Sequence, residues 1–332
     1  MFLYIAIIIS TVVALVSSVL FYSLERKTVY KNLKNKHVVI TGGSSGIGKG
    51  AALEAVRLGA NVTIIGRDVE KLKSTVSELT SQCSNTQQKV QYTALDVTSG
   101  YQNIEKCLMG IEEAMGPIFM LVNCAGMCIC GKFEDMKHED IKQMVDLNYF
   151  GTAYATKYVL SGMKKRNEGL IIFVASEAAF IGIYGYGAYS AAKWALRGLA
   201  ETILMELVGT NVGLMLSFPP DTDTPGFQNE EISKPKETKL ISSSGGLHSP
   251  DEIGKKLIHD AVAGKIYSTY GISGKLLSLL YGGSLESVSQ ILIQIFSLGM
   301  LRAVMVSIVL SFHSIVKDVA KERKKEESEK SK

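Results

Sequence analysis

Between residues 37 and 218 the chain carries six short, apolar, β-branched runs, each separated from the next by at least one helix-length stretch. The runs are 37–41, 61–66, 89–95, 118–123, 170–175 and 211–218. The helical stretches fall at 46–58, 68–82, 100–115, 138–147, 151–166 and 186–208. Strand–helix alternation predicts an α/β fold with one parallel sheet covered on both faces, because parallel neighbours need a crossover and helices supply it. A further helix is expected over 251–263, with Ser249 as N-cap and Pro250 at its first position. Sheets of this kind bind ligands at the carboxyl ends of their strands, so the residues after each run are the first candidates for chemistry.

The first run leads directly into Thr41-Gly42-Gly43-Ser44-Ser45-Gly46-Ile47-Gly48. Glycines there permit a sharp turn and a close approach to a phosphate. The helix that follows offers free N–H groups and the positive end of its dipole. The spacing is G-x-x-x-G-x-G rather than the general dinucleotide pattern G-x-G-x-x-G. After the second run Arg67 stands where an acidic residue would receive the ribose hydroxyls of NAD. A guanidinium suits a 2′-phosphate instead, which favours NADPH, with Ser44, Ser45 and Lys71 adding contacts. Asp68, one place on, and a merely solvated Arg67 are the competing readings. Asp96 and Val97 end the third run; Asn123, Ala125 and Gly126 end the fourth. Pro219, Thr222 and Thr224 follow the sixth and join the expected cofactor contacts. Asn148 closes a helical stretch, where a C-cap role competes with a functional one.

Ser176 stands at the exit of the fifth run, and Tyr189 and Lys193 lie four apart on the next helix, hence on one face. An ammonium beside a phenol favours the phenolate and is expected to lower the Tyr189 pKa from about 10 toward neutrality. Such a group exchanges protons at physiological pH, while the Ser176 hydroxyl holds the oxygen concerned. The constellation points to proton transfer at a carbonyl or an alcohol. Tyr-x-x-x-Lys alone recurs by chance in helices, so the argument rests on its company.

The ends have a different character. Residues 1–24 contain no charge and are long enough to span a bilayer. Residues 25–36 form a basic linker, with Arg26, Lys27, Lys31, Lys34 and Lys36 against Glu25. The positive-inside rule then places the following domain, 37–270, in the cytosol. Residues 271–316 form an apolar helical extension expected to associate with a membrane, and 317–332 a charged tail. Gln294, Arg302 and His313 interrupt the apolar run, and the cost of a central Arg favours lying on the bilayer over crossing it. The charge balance, 36 basic against 32 acidic residues, gives no sign of a nucleic-acid partner. Five cysteines, an odd number without framework spacing, indicate a reducing compartment. Cys124, Cys128 and Cys130 lack the paired C-x-x-C spacing of zinc sites, so no metal is expected.

TGGSSGIG (41–48), Asp96, NCAG (123–126), Asn148, Ser176 and YSAAK (189–193) follow one another in the order of the short-chain dehydrogenase/reductase family, which the chain resembles over 37–262. The resemblance implies a Rossmann-type, doubly wound sheet of about seven strands. It implies Tyr189 as the acid–base group, Lys193 on the nicotinamide ribose and tuning Tyr189, and Ser176 on the substrate oxygen. Asn148 would anchor a water relay, Asp96 the adenine, and Asn123 the cofactor ribose region. The run PPDTDTPG (219–226) departs from the usual Pro-Gly of the family. With GKFED (131–135) and the two apolar ends, it resembles a branch that uses NADPH to reduce a long-chain sphingoid ketone on the cytosolic face of the endoplasmic reticulum. Residues 221–249 would then be a mobile lid loop over the substrate. A membrane-bound steroid or retinoid reductase and a catalytically silent NADPH-binding scaffold are the alternatives. Family members often pair through helices equivalent to 153–158 and 194–207, which implies a possible homodimer.

Overall fold

The first apolar run becomes β1 (His37–Thr41), buried along its whole length because both faces of the sheet are covered. The computed structural model describes residues 4, 7, 10–12, 14–15, 18, 30, 32–243, 245–281 and 288–330. The other strands are β2 (Asn61–Gly66), β3 (Val90–Ala94), β4 (Ile118–Asn123), β5 (Gly169–Val174), β6 (Val212–Phe218) and β7 (Tyr267–Thr269). They form one seven-stranded sheet in the order β3-β2-β1-β4-β5-β6-β7, every pair parallel. Six strands match the six apolar runs. The seventh, Tyr-Ser-Thr, is three residues long and carries no such run, so only the family resemblance anticipated it.

Successive side chains of a strand point to opposite faces, and the two cores divide accordingly. Val39, Ile171 and Phe173 join the core under α3 (Tyr101–Met115), α5 (Gly151–Arg166) and α6 (Gly187–Glu206). Val38, Ile40, Leu170 and Ile172 join the core under α1 (Gly46–Arg57), α2 (Val69–Ser81) and α9 (Pro250–Val262). The order reverses between β1 and β4, which lie side by side, and Thr41 is in register with Asn123. That switch point opens a crevice at the carboxyl ends of the strands.

Three expectations are corrected. The helix α4 (His138–Val145) does not stop before Asn148; it continues through a π-helical turn, Asp146–Phe150, straight into α5. Residues 221–249 are not a plain loop but contain α7 (Pro225–Ser233) and α8 (Lys236–Ser242). Thr224 nucleates α7: its Oγ1 accepts the Phe227 N–H at 3.0 Å, and Pro225 opens the helix. At the C-terminal end α10 (Gly271–Tyr281) precedes α11 (Val288–Lys330), which carries the charged tail as helix as far as Lys330, beyond the short helix end expected there. Two ion pairs hold that tail to α8, Arg323 with the buried Glu237 at 2.7 Å and Lys236 with Glu322.

Among the described residues one helix, Ser297–Glu329, is long and apolar enough to cross a membrane. The expected span over 1–24 lies outside the described residues except at eight positions, all helical and exposed.

Candidate active site

The crevice is built where three turns meet. Gly42 turns the chain after β1 with φ +67°, and a Cβ there would stand 2.9 Å from the Ala125 backbone. Thr41 fastens the same junction, its hydroxyl accepting the N–H groups of Cys124 at 3.1 Å and Ala125 at 3.2 Å. Gly46 follows at φ +53°, where a Cβ would press within 2.8 Å of Thr224. Ser45, the N-cap of α1, makes no side-chain cap bond. The helix therefore presents backbone donors at a turn shaped for close approach, a cradle that fits a dinucleotide phosphate.

At the lip of the cleft Arg67 Nη1 lies 3.8 Å from Asp96 Oδ2. Asp96 is itself positioned by Thr98, whose N–H and hydroxyl it accepts at 2.9 and 2.8 Å. Asp68, the competing ribose ligand, is committed elsewhere: it caps α2 by accepting the Lys71 N–H at 3.1 Å. That bond holds its carboxyl below the ordinary value. Lys71 pairs with Asp68 at 3.6 Å and stands outside the lining.

Of the residues singled out from sequence, the cleft wall gathers Gly42, Ser44, Ser45, Gly46, Ile47, Gly48, Arg67, Asp96, Val97, Ala125 and Gly126. It also gathers Asn148, Ser176, Tyr189, Lys193, Pro219, Thr222 and Thr224. Asn123 is not in it. Its amide donates to Thr156 at 3.2 Å and ties β4 to α5, while its Oδ1 is buried without a hydrogen-bond partner.

Asn148 is fully buried in the π turn. Its amide group donates to the carbonyls of Met127 and Met144, each at 2.9 Å, and its Oδ1 accepts the Met127 N–H at 3.2 Å. A π turn widens the helix locally and is often found at functional sites. Here it lets one side chain grip both the turn before and the strand-end loop. Gly126 makes room, since a Cβ there would lie 2.8 Å from Asn148 Oδ1 and 3.3 Å from Lys193 Nζ.

Ser176 leaves β5 with its Oγ accepting the Ala178 N–H at 3.2 Å. Tyr189 and Lys193 share a face of α6, as the spacing requires, but the expected electrostatics are reversed. Burial holds the Tyr189 phenol well above 10, Cys128 and Glu230 push it further, and Ser176 pulls it back. Lys193 does not lower it because Nζ donates to the Val174 carbonyl at 2.9 Å and lies 5.7 Å from the Tyr189 ring centre. Burial instead pulls the Lys193 ammonium down to about 8. Tyr189 is thus a neutral phenol.

Tyr186 and Glu230, also in the wall, were not singled out from sequence. Tyr186 packs edge-on against Tyr189 with ring centres 5.6 Å apart, and its hydroxyl donates to the Glu230 carboxylate. Three residues before Tyr189 in a Gly-rich loop, it carried a faint signal; Glu230, on α7, carried none. The Cys128 and Cys130 sulfurs stand 3.6 Å apart, and Glu230 completes a trio whose candidate ligand atoms lie within 4.8 Å of one another. Lys234 Nζ, 3.0 Å from Glu230, already supplies a positive charge there.

A family model described as short chain dehydrogenase matches residues 36–234. The 3-dehydrosphinganine reductase of Danio rerio is 42% identical over 287 residues, covering 86% of each chain. The 3-ketodihydrosphingosine reductase of Bos taurus is 40% identical over the same length and coverage. Among solved structures, an alcohol dehydrogenase from Thermococcus sibiricus, complexed with 5-hydroxy-NADP, matches with a TM-score of 0.57 and 28% identity, covering 66% of this chain and 87% of that one. Levodione reductase, at a TM-score of 0.64 and 20% identity over 70% of this chain and 92% of its own, shares the fold.

Proposed function

The chain belongs to the short-chain dehydrogenase family, and from that premise we propose that it reduces 3-ketodihydrosphingosine to dihydrosphingosine with NADPH. The observation that carries the substrate is its 40 and 42% identity, over 86% of each chain, to reductases named for that ketone. The α1 N-terminus, with no side-chain cap and glycine on its approach, fits the cofactor phosphates. Ser44, Ser45, Gly46, Ile47 and Gly48 would hold them. Arg67 would hold the 2′-phosphate, Asp96 and Val97 the adenine side, and Ala125, Gly126 and Lys193 the nicotinamide ribose side. Pro219, Thr222 and Thr224 would close over the nicotinamide. When bound, NADPH supplies a hydride for the carbonyl carbon.

The chain's own residues manage the oxygen and the proton. Ser176 holds the ketone oxygen against Tyr189, which gives up its phenolic proton as the alkoxide forms. A phenol kept neutral by burial suits this direction of reaction. Lys193, with the cofactor's ribose hydroxyl, would connect Tyr189 to the water relay that Asn148 anchors and that restores the proton. Asn123, off the cleft wall, is a structural tie between β4 and α5 through Thr156.

We assign 1–24 as a membrane anchor, 25–36 as a cytosolic linker and 37–270 as the reductase domain at the endoplasmic reticulum. For 271–316 the lying orientation is favoured. Leu301, Met305 and Val319 of α11 are buried against the domain, and Arg302 reaches the Tyr281 hydroxyl at 3.0 Å. Trp194 and Met205, exposed on α6, support pairing with a second copy.

The test is NADPH consumption by membranes carrying the protein, with 3-ketodihydrosphingosine offered beside a keto-steroid and retinal. The sphingoid ketone alone is expected to turn over, and Tyr189→Phe should lower kcat by roughly 100- to 10,000-fold. Turnover only of steroid or retinal would replace the substrate; no turnover of any ketone would leave the scaffold reading.

A further inference from the structure

The wall supplied by α7 brings carboxylates to the reacting groups. Asp221 and Glu230 line the same cleft as Ser176 and Tyr189. The Glu230 side chain is 12% exposed. It is held by the hydroxyl of Tyr186, whose ring lies against that of Tyr189, so a single aromatic residue separates this carboxylate from the proton donor.

Charge does not balance at this wall. Lys234, with its side chain fully buried, is the cation facing three carboxylates: Glu231 at 2.5 Å, Glu230 at 3.0 Å and Asp221 at 4.0 Å. Its ammonium also lies 4.1 Å from the centre of the Phe227 ring, and the Ser242 hydroxyl donates to Asp221. Burial pushes the carboxyl groups of both Glu230 and Asp221 upward, against the pull of Lys234. His248 adds a partial pull on Asp221. Holding the lid would require one carboxylate per ammonium. A surplus one, desolvated beside the proton donor, is costly unless a further cation arrives.

The substrate assigned above carries such a cation. Its primary amine sits on the carbon next to the ketone, so the ammonium lies two bonds from the carbon that is reduced. We propose that Glu230 is a specificity-determining residue of this reaction: its carboxylate receives the substrate's 2-ammonium, with Tyr186 as the positioning residue that aims it. The inference rests on the proposed function and deepens it by stating how one long-chain ketone is told from another. A steroid or retinoid, which has no amine, would leave Glu230 to share the single Lys234 ammonium with Glu231 and Asp221.

The experiment compares two ketones of the same chain length, 3-ketodihydrosphingosine and its analogue lacking the 2-amino group. Full-length wild type and Glu230→Gln are assayed in the same membranes. Wild type should prefer the amino ketone in kcat/KM. Glu230→Gln should reduce that preference by roughly 10- to 100-fold, the range for losing a charged hydrogen-bond partner. The loss should fall mainly on KM, and Glu230→Asp should restore part of it. Equal losses on the two ketones would overturn the inference and make Glu230 a structural part of the lid. A wild type that reduces both equally, with the ratio unmoved by Glu230→Gln, would also overturn it while leaving the reductase reading intact. A wild type idle on both ketones would overturn that reading and the inference with it. Should Glu230→Gln fail to fold, Tyr186→Phe, which leaves the carboxylate in place but unaimed, must show the same one-sided loss.

Discussion

A phenol as desolvated as that of Tyr189 keeps its proton until a developing negative charge takes it, which is the behaviour an acid in ketone reduction requires. The residue scale is also where cofactor choice is decided. With Asp68 spent on capping α2, Arg67 is left as the group at the lip able to meet a 2′-phosphate. Arg67→Glu should therefore raise the KM for NADPH by roughly 10- to 100-fold and leave that for NADH within a few-fold. Steady-state kinetics with both coenzymes checks this, and equal effects would reject the phosphate role. That Ser176, Tyr189 and Lys193 meet in one cleft was legible because two of them lie four apart on one helix and the third ends a strand. Their electrostatics were not. Spacing says that Lys193 is near Tyr189, but not that its ammonium is turned to the Val174 carbonyl. Glu230 was invisible for a related reason: it reaches the cleft through the packing of α7, and nothing in its neighbours along the chain announces that.

At the scale of elements, six of seven strands could be read because buried parallel strands are written as apolar, β-branched runs. β7 is too short to show one, and α7 and α8 hid in a stretch of Gly, Ser and charge whose helical ends depend on Thr224, Pro225 and Pro235. The π turn at Asn148 was likewise hidden, since one extra residue in a helix leaves the composition unchanged. Its fit against Gly126 makes a sharp prediction. Gly126→Ala would set a methyl 2.8 Å from Asn148 Oδ1, so Asn148 or the loop must move. A displacement on the order of 1 Å should lower kcat by about 100-fold. Circular dichroism should be unchanged; wild-type turnover in this variant would show that the close fit is irrelevant to catalysis.

For the molecule as a whole, burying Lys193 links stability to pH. Its pKa falls from 10.5 unfolded to about 8 folded, so between those values the unfolded chain binds the extra proton. The cost is full below about pH 8 and is relieved as pH rises toward the unfolded value, by about 3 kcal/mol. Urea unfolding of the cofactor-free protein should show Lys193→Met more favourable relative to wild type at pH 7 than at pH 10. An identical difference at both values would mean that Lys193 keeps an ordinary pKa. The parallel sheet and its ligand-binding carboxyl edge could be foreseen because strand–helix alternation demands crossovers, whereas the strand order and the contacts between distant parts of the chain could not. The pairs Arg323–Glu237 and Lys236–Glu322 are of that kind, each joining residues 86 apart. Through them the far end of α11 and the helix after α7 share a mechanical fate. Thermodynamic reciprocity then works in both directions: if displacing the tail alters how tightly the cleft holds its contents, filling the cleft must alter by the same factor how tightly the tail holds whatever it rests on.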